Sequence, residues 1–536
     1  MSDPKNVQGV HIERASSTDA SLDATVLQTS APTAEYDAHQ HAMTRMEAIK
    51  ENWKSLLWCG YAFYLCITWG FDGLAGGIVV SIAAFRKDFG VPFAGDYAVD
   101  ANWQLGWLAG TLFGMIAGGY LAGVVTNKYG RRIAILGAFI FYISGVFAQV
   151  FASTNVHFFV GKLLTGFPLG IFTTVAPTYG AEMAPLRIRG AVSAGMNFAI
   201  VVGQCICYGV MRETAYYDGS AQYKVLFMTQ WGFCAVGLAI LPFFPESPYW
   251  LVDHGKEDKA RENLAKLHGP DFNLDGAIAD IRESLTRESQ EQEGNNKARI
   301  VECFSRAQWR RTLAGAGMFA VQNQSGSAWV IGYMSYFMQL AGLPATRAAD
   351  VAVGLTGLMV VGNMAGWFTV EWIGRRGSAL WGCIILTVCL FVIGIIAVIQ
   401  APSAIFVQIA FMAVWSVVYQ ATIGAAAWPI TTENATSRLR ASTQSIATMT
   451  NGITSCVWSF ALPYAINPDR GNLGGKISFV FGATMACATV FVYFVVPETR
   501  NRSFIEIDEL WSRGVAPRNF KKTNLVTVAE EEKIQA

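Results

Sequence analysis

An ionisable side chain in the middle of an apolar run is the first feature that could do chemistry. Asp72 lies between Phe71 and Gly73, about fifteen residues from either end of the apolar segment 56–85. A carboxylate at that depth in a membrane is costly unless it is paired or protonated, so it marks a functional site. Within the apolar runs the sequence has no His except His157 at an edge. Asp72 is therefore the candidate proton carrier, with a structural ion pair as the alternative.

Three charged motifs occur twice, in the same order and at one offset. NKYGRR at 127–132 returns as EWIGRR at 371–376, and PESPYW at 245–250 returns as PETRNR at 497–502. In the third pair, Glu182 is followed five and seven residues later by Arg187 and Arg189. Glu433 is followed at the same spacing by Arg438 and Arg440. The copies are roughly 250 residues apart. The sequence therefore predicts two related halves, the pattern of a transporter with parallel repeats.

The charged side chains of these motifs could form ion pairs at one membrane surface. We expect pairs between neighbouring loops to latch the two halves and to bias the balance between two conformations. The alternative is that the positive charge only sets the topology. The candidate latch residues are Arg131, Arg132, Glu182, Arg187, Arg189, Glu246, Arg375, Arg376, Glu433, Arg438, Arg440 and Glu498.

The composition excludes most soluble classes of protein. Of the 536 residues, 52% are hydrophobic and only 15% are charged, whereas soluble domains carry about a quarter charged residues. The net charge of +1, without a dominant basic tract, gives no sign of a nucleic-acid partner. The sequence has no GxSxG, HExxH or phosphate-loop motif, and its ten Cys form no CxxC pair. We therefore expect no enzyme, no metal and no cofactor.

Long apolar runs dominate the chain, and about 20 such residues are enough to cross a membrane. The runs are 56–85, 101–125, 131–152, 157–180, 190–211, 225–244, 312–341, 348–373, 377–399, 402–430, 441–466 and 474–496. They predict an all-α membrane protein with twelve transmembrane helices in two six-helix bundles.

Polar segments separate the predicted parts of the chain. Lys and Arg concentrate in the loops after the second, fourth, eighth and tenth spans, so these loops, the linker and both termini are expected in the cytoplasm. The predicted parts are a disordered cytosolic tail at 1–55, a first bundle at 56–244, a cytosolic linker with short helices at 245–311, a second bundle at 312–496 and a cytosolic tail at 497–536.

Together, these motifs resemble the sugar porter family of the major facilitator superfamily, over roughly residues 55–512. The resemblance is carried by the two GRR loops, by the PxYxxExxPxRxRG segment at 177–190 and by its counterpart at 428–440. Within the family, the segment QNQSGSAWVIGYMSYF at 322–337 and the ending from Pro497 resemble the fungal α-glucoside (maltose-type) proton symporters. The resemblance implies the major facilitator fold and the import of a sugar, such as maltose, with a proton.

The resemblance also implies a central cavity lined by hydrogen-bonding and aromatic side chains. Sugar hydroxyls need paired donors and acceptors, and the apolar ring faces stack on aromatic rings. For each amide, the alternative is a bond that only joins two neighbouring helices. The residues at the matching positions are Asn197, Gln204, Gln322, Asn323, Tyr333, Trp428 and Asn451.

The sugar porters that use a proton pair their acidic residue in the first span with a basic residue at the start of the fourth. Lys162 holds that place here, where the family usually has Arg. Lys loses its charge on burial more readily than Arg, which bears on the coupling. The maltose-type porters carry further membrane acids, and this chain has Trp69 near one of those places.

These features predict a monomeric, multi-pass protein of the plasma membrane whose partners are the lipid bilayer, a sugar and a proton. Its two bundles are expected to rock about a midplane site. One alternative is an exporter or facilitator of another small polar metabolite, since the fold fixes neither direction nor substrate. The other is a non-transporting sugar sensor, against which the short tail of about 40 residues after Pro497 argues.

Overall fold

The computed structural model describes most of the chain, and helices dominate it. The described residues are 44–93, 96–185, 188–268, 272–293, 302–306, 308–399, 404–435, 440–467, 470–500, 502 and 504–523. Within these ranges the one sheet is a hairpin in which β1 (Val91–Phe93) pairs antiparallel with β2 (Asp96–Ala98). The all-α class predicted from the sequence is confirmed.

The first half of the chain has six long helices at the places of the first six predicted spans. A capping box between Thr44 and Glu47 starts the short helix that precedes them. The helices are α1 (Arg45–Glu51), α2 (Trp53–Ile78), α3 (Ala83–Phe89), α4 (Ala101–Tyr129), α5 (Arg131–Val150), α6 (Asn155–Met183), α7 (Arg189–Thr214) and α8 (Ala221–Ile240).

Three shorter helices form the linker, and they pack on one another through a small apolar cluster of their own. They are α9 (Pro248–Asp253), α10 (Glu257–Leu267) and α11 (Leu274–Glu293). The second half follows with α12 (Trp309–Gln324), α13 (Ser327–Gly332), α14 (Met334–Leu340), α15 (Ala345–Trp372), α16 (Arg375–Val398), α17 (Ala404–Ala421), α18 (Ile423–Asn434), α19 (Arg440–Ile466), α20 (Ile477–Val495) and α21 (Phe504–Ser512).

Nine segments of the described chain are long and apolar enough to cross a membrane on their own. The predicted fifth and eleventh spans correspond to α7 and α19, and α19 is rich in Ser and Thr. The predicted seventh span corresponds to α12, α13 and α14 together. Helices therefore occupy all twelve predicted places, while the count of twelve spans remains a prediction.

The first predicted span, 56–85, ends too late, because the chain turns at Ile82 before α3 begins. Two further predicted spans are interrupted within their length. The seventh breaks at Gly326, whose φ of 83° is left-handed, and again at Tyr333. The tenth breaks at Thr422, between α17 and α18. Interrupted helices expose backbone groups that regular helices bond internally, and in transporters they mark binding sites near the midplane. The breaks therefore point to the region between α13 and α18.

Close approach of backbones packs α4 against α6. A Cβ added at Gly114 would overlap the carbonyl oxygen of Leu163, and one at Gly118 would overlap that of Phe167. Small residues at such contacts are how membrane helices associate, since lipid tails remove the hydrophobic drive between helices. This contact fixes the position of α6, the helix that carries Lys162.

The internal repeat is visible as matching geometry at the starts of α5 and α16. Gly130 and Gly374, the N-caps of these helices, have φ values of 92° and 93°. The Glu246 carboxylate accepts from the backbone N–H of Arg131 at 2.8 Å, and Glu498 accepts from that of Arg375 at 2.9 Å. Each carboxylate therefore satisfies the free N–H groups at a helix N-terminus. The end of the molecule that carries these caps is called the arginine side below.

Candidate functional site

The Asp72 carboxylate lies in a closed pocket between α2, α6 and α8. The Nζ atom of Lys162 is 3.8 Å from Asp72 Oδ1, and the two side chains are 3% and 1% exposed. Gln230, on α8, donates from Nε2 to the same oxygen at 2.8 Å. The other oxygen, Oδ2, is buried and has no hydrogen-bond partner in the described part of the chain. One oxygen is thus held in place, and the other remains available to a proton.

The surroundings of the ammonium group fit a lysine. Nζ of Lys162 lies 5.9 Å from the ring centroid of Phe158 and 5.3 Å from that of Phe227. Aromatic faces attract a cation more strongly when water is excluded. A Cβ added at Gly76 would sit 2.9 Å from Nζ. The glycine therefore leaves the space that the lysine head occupies beside α2.

The predicted amides of α12 and α19 meet. Nδ2 of Asn323 donates to Asn451 Oδ1 at 2.7 Å and lies 2.9 Å from Thr454 Oγ1. Asn323 is 9% exposed. Its amide nitrogen therefore already has protein partners, as expected of a bond between two helices. Asn451 is partly buried.

Gln322 lies next to the break in the tenth predicted span. Its Nε2 is 3.5 Å from the carbonyl oxygens of Ile423 and Gly424 at the start of α18. These contacts are at the outer limit of a hydrogen bond, so the amide can exchange them for a ligand. On α18, Trp428 is 47% exposed and meets Phe319 edge to face at 5.0 Å. Trp428 therefore has accessible ring surface one to two helical turns from the break.

The predicted residues of the first half lie on α7. Gln204 is partly buried, and its Oε1 atom has no hydrogen-bond partner among the described residues. Tyr208, one turn further on, donates to the carbonyl of Ile331 on α13 at 2.7 Å. Residues four apart share a helix face, so Gln204 faces the second half near the break. Asn197 lies two turns earlier and is partly buried, and Tyr333, at the second break, is buried.

The structure adds residues that the sequence patterns did not single out. Gln230 is a glutamine in the middle of the apolar helix α8, a signal that could have been used. Thr454 and Trp458 lie three and seven residues after Asn451, on one helix face. The indole of Trp458 donates to Gln324 Oε1 at 3.2 Å, which adds to the contacts of Asn323 between α12 and α19.

The candidate latch residues pair within each half of the described chain. Nη2 of Arg131 is 2.5 Å from Glu182 Oε1, and Nη2 of Arg375 is 3.0 Å from Glu433 Oε1. Arg132 and Arg376 donate to the carbonyls of Pro242 at 3.0 Å and Tyr493 at 2.8 Å. Arg187 and Arg438 lie outside the described residues, as do the side chains of Arg189 and Arg440, which begin α7 and α19.

Buried polar side chains join the two halves on the side opposite the arginine side. Gln104 donates to Asn467 Oδ1 at 3.2 Å, and Asn467 donates to the carbonyl of Val99 at 3.0 Å. Arg86 donates to Gln339 Oε1 at 3.3 Å. Arg86, Gln104 and Asn467 are all buried. The two halves are therefore joined at this side of the molecule.

Repeated halves, interrupted helices at their junction and a buried carboxylate beside an ammonium group define a class. The protein is a membrane transporter with the major facilitator fold. The model of the Sugar (and other) transporter family matches residues 58–511, and the chain belongs to this family. It is a transporter rather than an enzyme.

Curated relatives match along most of the chain. The MFS transporter fmqE of Aspergillus fumigatus is 31% identical over 507 residues, which is 91% of this chain and 93% of that protein. The General alpha-glucoside permease of Saccharomyces cerevisiae is 27% identical, over 91% of this chain and 80% of the permease. Maltose permease MAL31 of the same yeast is also 27% identical, over 92% and 81%.

Solved structures share the fold. The inward open xylose transporter XylE from E. coli has a TM-score of 0.70 at 20% identity, covering 85% of this chain and 100% of that chain. The proton:xylose symporter XylE bound to 6-bromo-6-deoxy-D-glucose has a TM-score of 0.67 at 21% identity, over 86% and 100%. At this identity the likeness concerns the fold.

Proposed function

We propose that this protein imports an α-glucoside such as maltose together with a proton, by alternating access. The observation that carries the proposal is the Asp72 pocket, where a buried carboxylate has one oxygen bonded and one without a hydrogen-bond partner in the described part of the chain. Such a residue is too costly to keep for packing alone. Relatives named as α-glucoside and maltose permeases, over about nine tenths of the chain, support the substrate class.

The proton would bind at Oδ2 of Asp72. When the carboxylate is charged, it attracts the Lys162 ammonium, which is 3.8 Å away. When the carboxyl group is neutral, that attraction is lost and α2 and α6 are free to shift relative to each other. Proton binding would thus permit a conformational change that the ion pair opposes when the carboxylate is charged.

The sugar would bind between α7, α12, α18 and α19. Among the described residues, Gln204 brings an amide oxygen without a partner, and Gln322 brings an amide held by contacts of 3.5 Å. Trp428 supplies an accessible aromatic face. These groups come from both halves, so a bound sugar would draw the two bundles together.

The two bundles, at 56–244 and 312–496, would then rock about this site. Polar contacts join the halves opposite the arginine side, and the arginine pairs lie within each half. These contacts favour a state open on the arginine side. We infer that the arginine side, the linker and both termini are cytoplasmic, that the membrane is the plasma membrane and that one copy suffices for transport.

The orientation can be tested on the linker. Glu262 on α10 is exposed, so Glu262→Cys should resist a membrane-impermeant thiol reagent in intact cells and react after permeabilisation. Tyr216, 62% exposed at the end of α7, gives the matched control, because Tyr216→Cys should react in intact cells. The reverse pattern at these two positions would overturn the orientation.

Gln230 should set the proton dependence of uptake. Gln230→Leu removes a donor from the charged carboxylate, an interaction of about 1.5–3 kcal/mol. The external pH at which uptake is half-maximal should therefore rise by about 1–2 units. The control is Gln149→Leu, since Gln149 is a buried glutamine that bonds Thr165 at 2.9 Å instead. An unchanged pH profile in Gln230→Leu would mean that Gln230 takes no part in proton coupling.

A second candidate function is export or facilitated movement of another small metabolite. The relative at 31% identity is named only as an MFS transporter, without a sugar. Trp69 also stands near a place where the maltose-type porters carry an acidic residue. Uptake of labelled maltose, glucose and xylose in yeast that lacks hexose and maltose transport distinguishes the two. Saturable maltose uptake supports the proposal, and no uptake of any sugar by protein present at the cell surface contradicts it.

A further inference from the structure

The two repeats differ in how their last helix packs. In the first half, α8 packs against α5, α7 and α2. In the second half, the equivalent helix α20 packs against α12 and α16, and its packing against α19 is much weaker. The space between α12, α19 and α20 forms a groove.

This groove has a volume of about 910 Å³. It runs from Phe304 and Trp309 on the arginine side to Gln324 and Thr484 near the middle of the bundle. From Trp309 to Gln324, α12 rises about 22 Å. That length is close to the depth of one leaflet with its headgroup region, about 20–22 Å.

The walls of the groove are apolar because their polar atoms are bonded elsewhere. The hydroxyl of Thr312 donates to the carbonyl of Cys303 at 2.9 Å, and that of Thr450 to the carbonyl of Ile446 at 2.9 Å. Thr484 donates to the carbonyl of Gln324 at 3.2 Å. What remains is a surface of methyl groups and rings, which suits a ligand without hydrogen-bonding groups along its length.

The groove is continuous with the outer surface of α20. Val480, Ala483, Cys487 and Val490 follow one another at helical spacing, and all four are exposed. Ala483 and Cys487 line the groove, whereas Val480 and Val490 lie beside it. An exposed apolar stripe on a membrane helix faces lipid, so the groove opens toward the acyl chains of the bilayer.

The mouth of the groove carries a cation and aromatic rings. Trp309 is 42% exposed, and the guanidinium of the neighbouring Arg310 lies 5.7 Å from its ring centroid. Phe304 is 63% exposed. Trp at the membrane interface anchors a helix at headgroup level, and Arg binds phosphate through paired donors. Arg310 is therefore placed at the depth of a lipid phosphate.

We propose that this groove binds one anionic phospholipid, with an acyl chain between α12, α19 and α20 and its phosphate at Arg310. The proposal rests on the fold and does not depend on the transported solute. A bound lipid would stabilise the position of α12, the helix that carries Gln322 and Asn323 and precedes the break at Gly326.

Native mass spectrometry of the purified full chain tests the site. The protein is titrated with phosphatidylglycerol and, separately, with phosphatidylcholine, and the bound lipid is counted. Cys487→Trp fills the groove, and Val490→Trp places the same ring on the same helix outside it. Arg310→Gln removes the cation at the mouth, with Arg518→Gln as an exposed control.

We expect one tightly held phosphatidylglycerol in the unmodified protein and in Val490→Trp, and none in Cys487→Trp. Arg310→Gln should weaken phosphatidylglycerol binding about fivefold, the effect of one arginine near a membrane surface. Equal retention in Cys487→Trp and Val490→Trp would overturn the site. Equal binding of both lipids would overturn the role of Arg310, and a lipid-free dimer that Cys487→Trp disrupts would show that a second copy fills the groove instead.

Discussion

Asp72→Asn is expected to abolish accumulation of the sugar against its gradient. Asparagine keeps the size of the side chain and mimics the protonated carboxyl permanently, so the step that proton binding controls is always permitted. Internal and external sugar should then equalise, and uptake should no longer respond to an uncoupler. Downhill exchange should persist, since the change leaves Gln204 and Gln322 in place.

A carboxylate elsewhere provides the matched control for this variant. Asp88 on α3 accepts from the hydroxyl of Tyr223 at 2.9 Å, away from Lys162. Asp88→Asn should keep accumulation and its sensitivity to an uncoupler. If Asp72→Asn accumulates sugar as well as Asp88→Asn does, the proton does not travel by Asp72.

Gln322→Ala should raise the apparent KM for the sugar about 5- to 150-fold, with normal surface expression. Within the described residues, the amide nitrogen contacts the carbonyls of Ile423 and Gly424 at 3.5 Å. Loss of such long contacts should leave the helices joined. In a desolvated site, one missing hydrogen bond to a hydroxyl costs about 1–3 kcal/mol. Uptake kinetics measure the apparent KM, and surface labelling measures the amount of protein at the cell surface.

The neighbouring amide is expected to behave differently. Asn323 is bonded to Asn451 and Thr454, so Asn323→Ala should lower the amount of folded protein. Asn363→Ala, which breaks a buried contact to Gln420 at 3.1 Å, serves as a control for the loss of an interhelical amide. A normal KM in Gln322→Ala would mean that its amide only joins helices.

The repeated motifs allowed much of the fold to be predicted. Charges at fixed spacing beside glycines identified two halves, and the structure places Glu246 and Glu498 at equivalent helix starts. The carboxylates were expected to meet arginine side chains. Their bonds to backbone N–H groups could not be foreseen, because they depend on the left-handed turns at Gly130 and Gly374.

The partners within the site could not be predicted from spacing. Gln230 bonds Asp72 across 158 residues of sequence, and that contact depends on how α8 is rotated against α2. The break at Thr422 also lacks a local signal at that residue, since threonine is compatible with a regular helix. By contrast, Asp72 itself stood out, because its type conflicts with its apolar surroundings.

External pH in a lightly buffered suspension of energised yeast expressing the protein tests the proposed coupling most directly. On addition of maltose, the medium should become transiently alkaline, because each sugar enters with a proton. The signal should vanish in Asp72→Asn and persist in Asp88→Asn. Maltose uptake of normal size without any alkaline shift would contradict proton symport and leave a facilitator on the same fold.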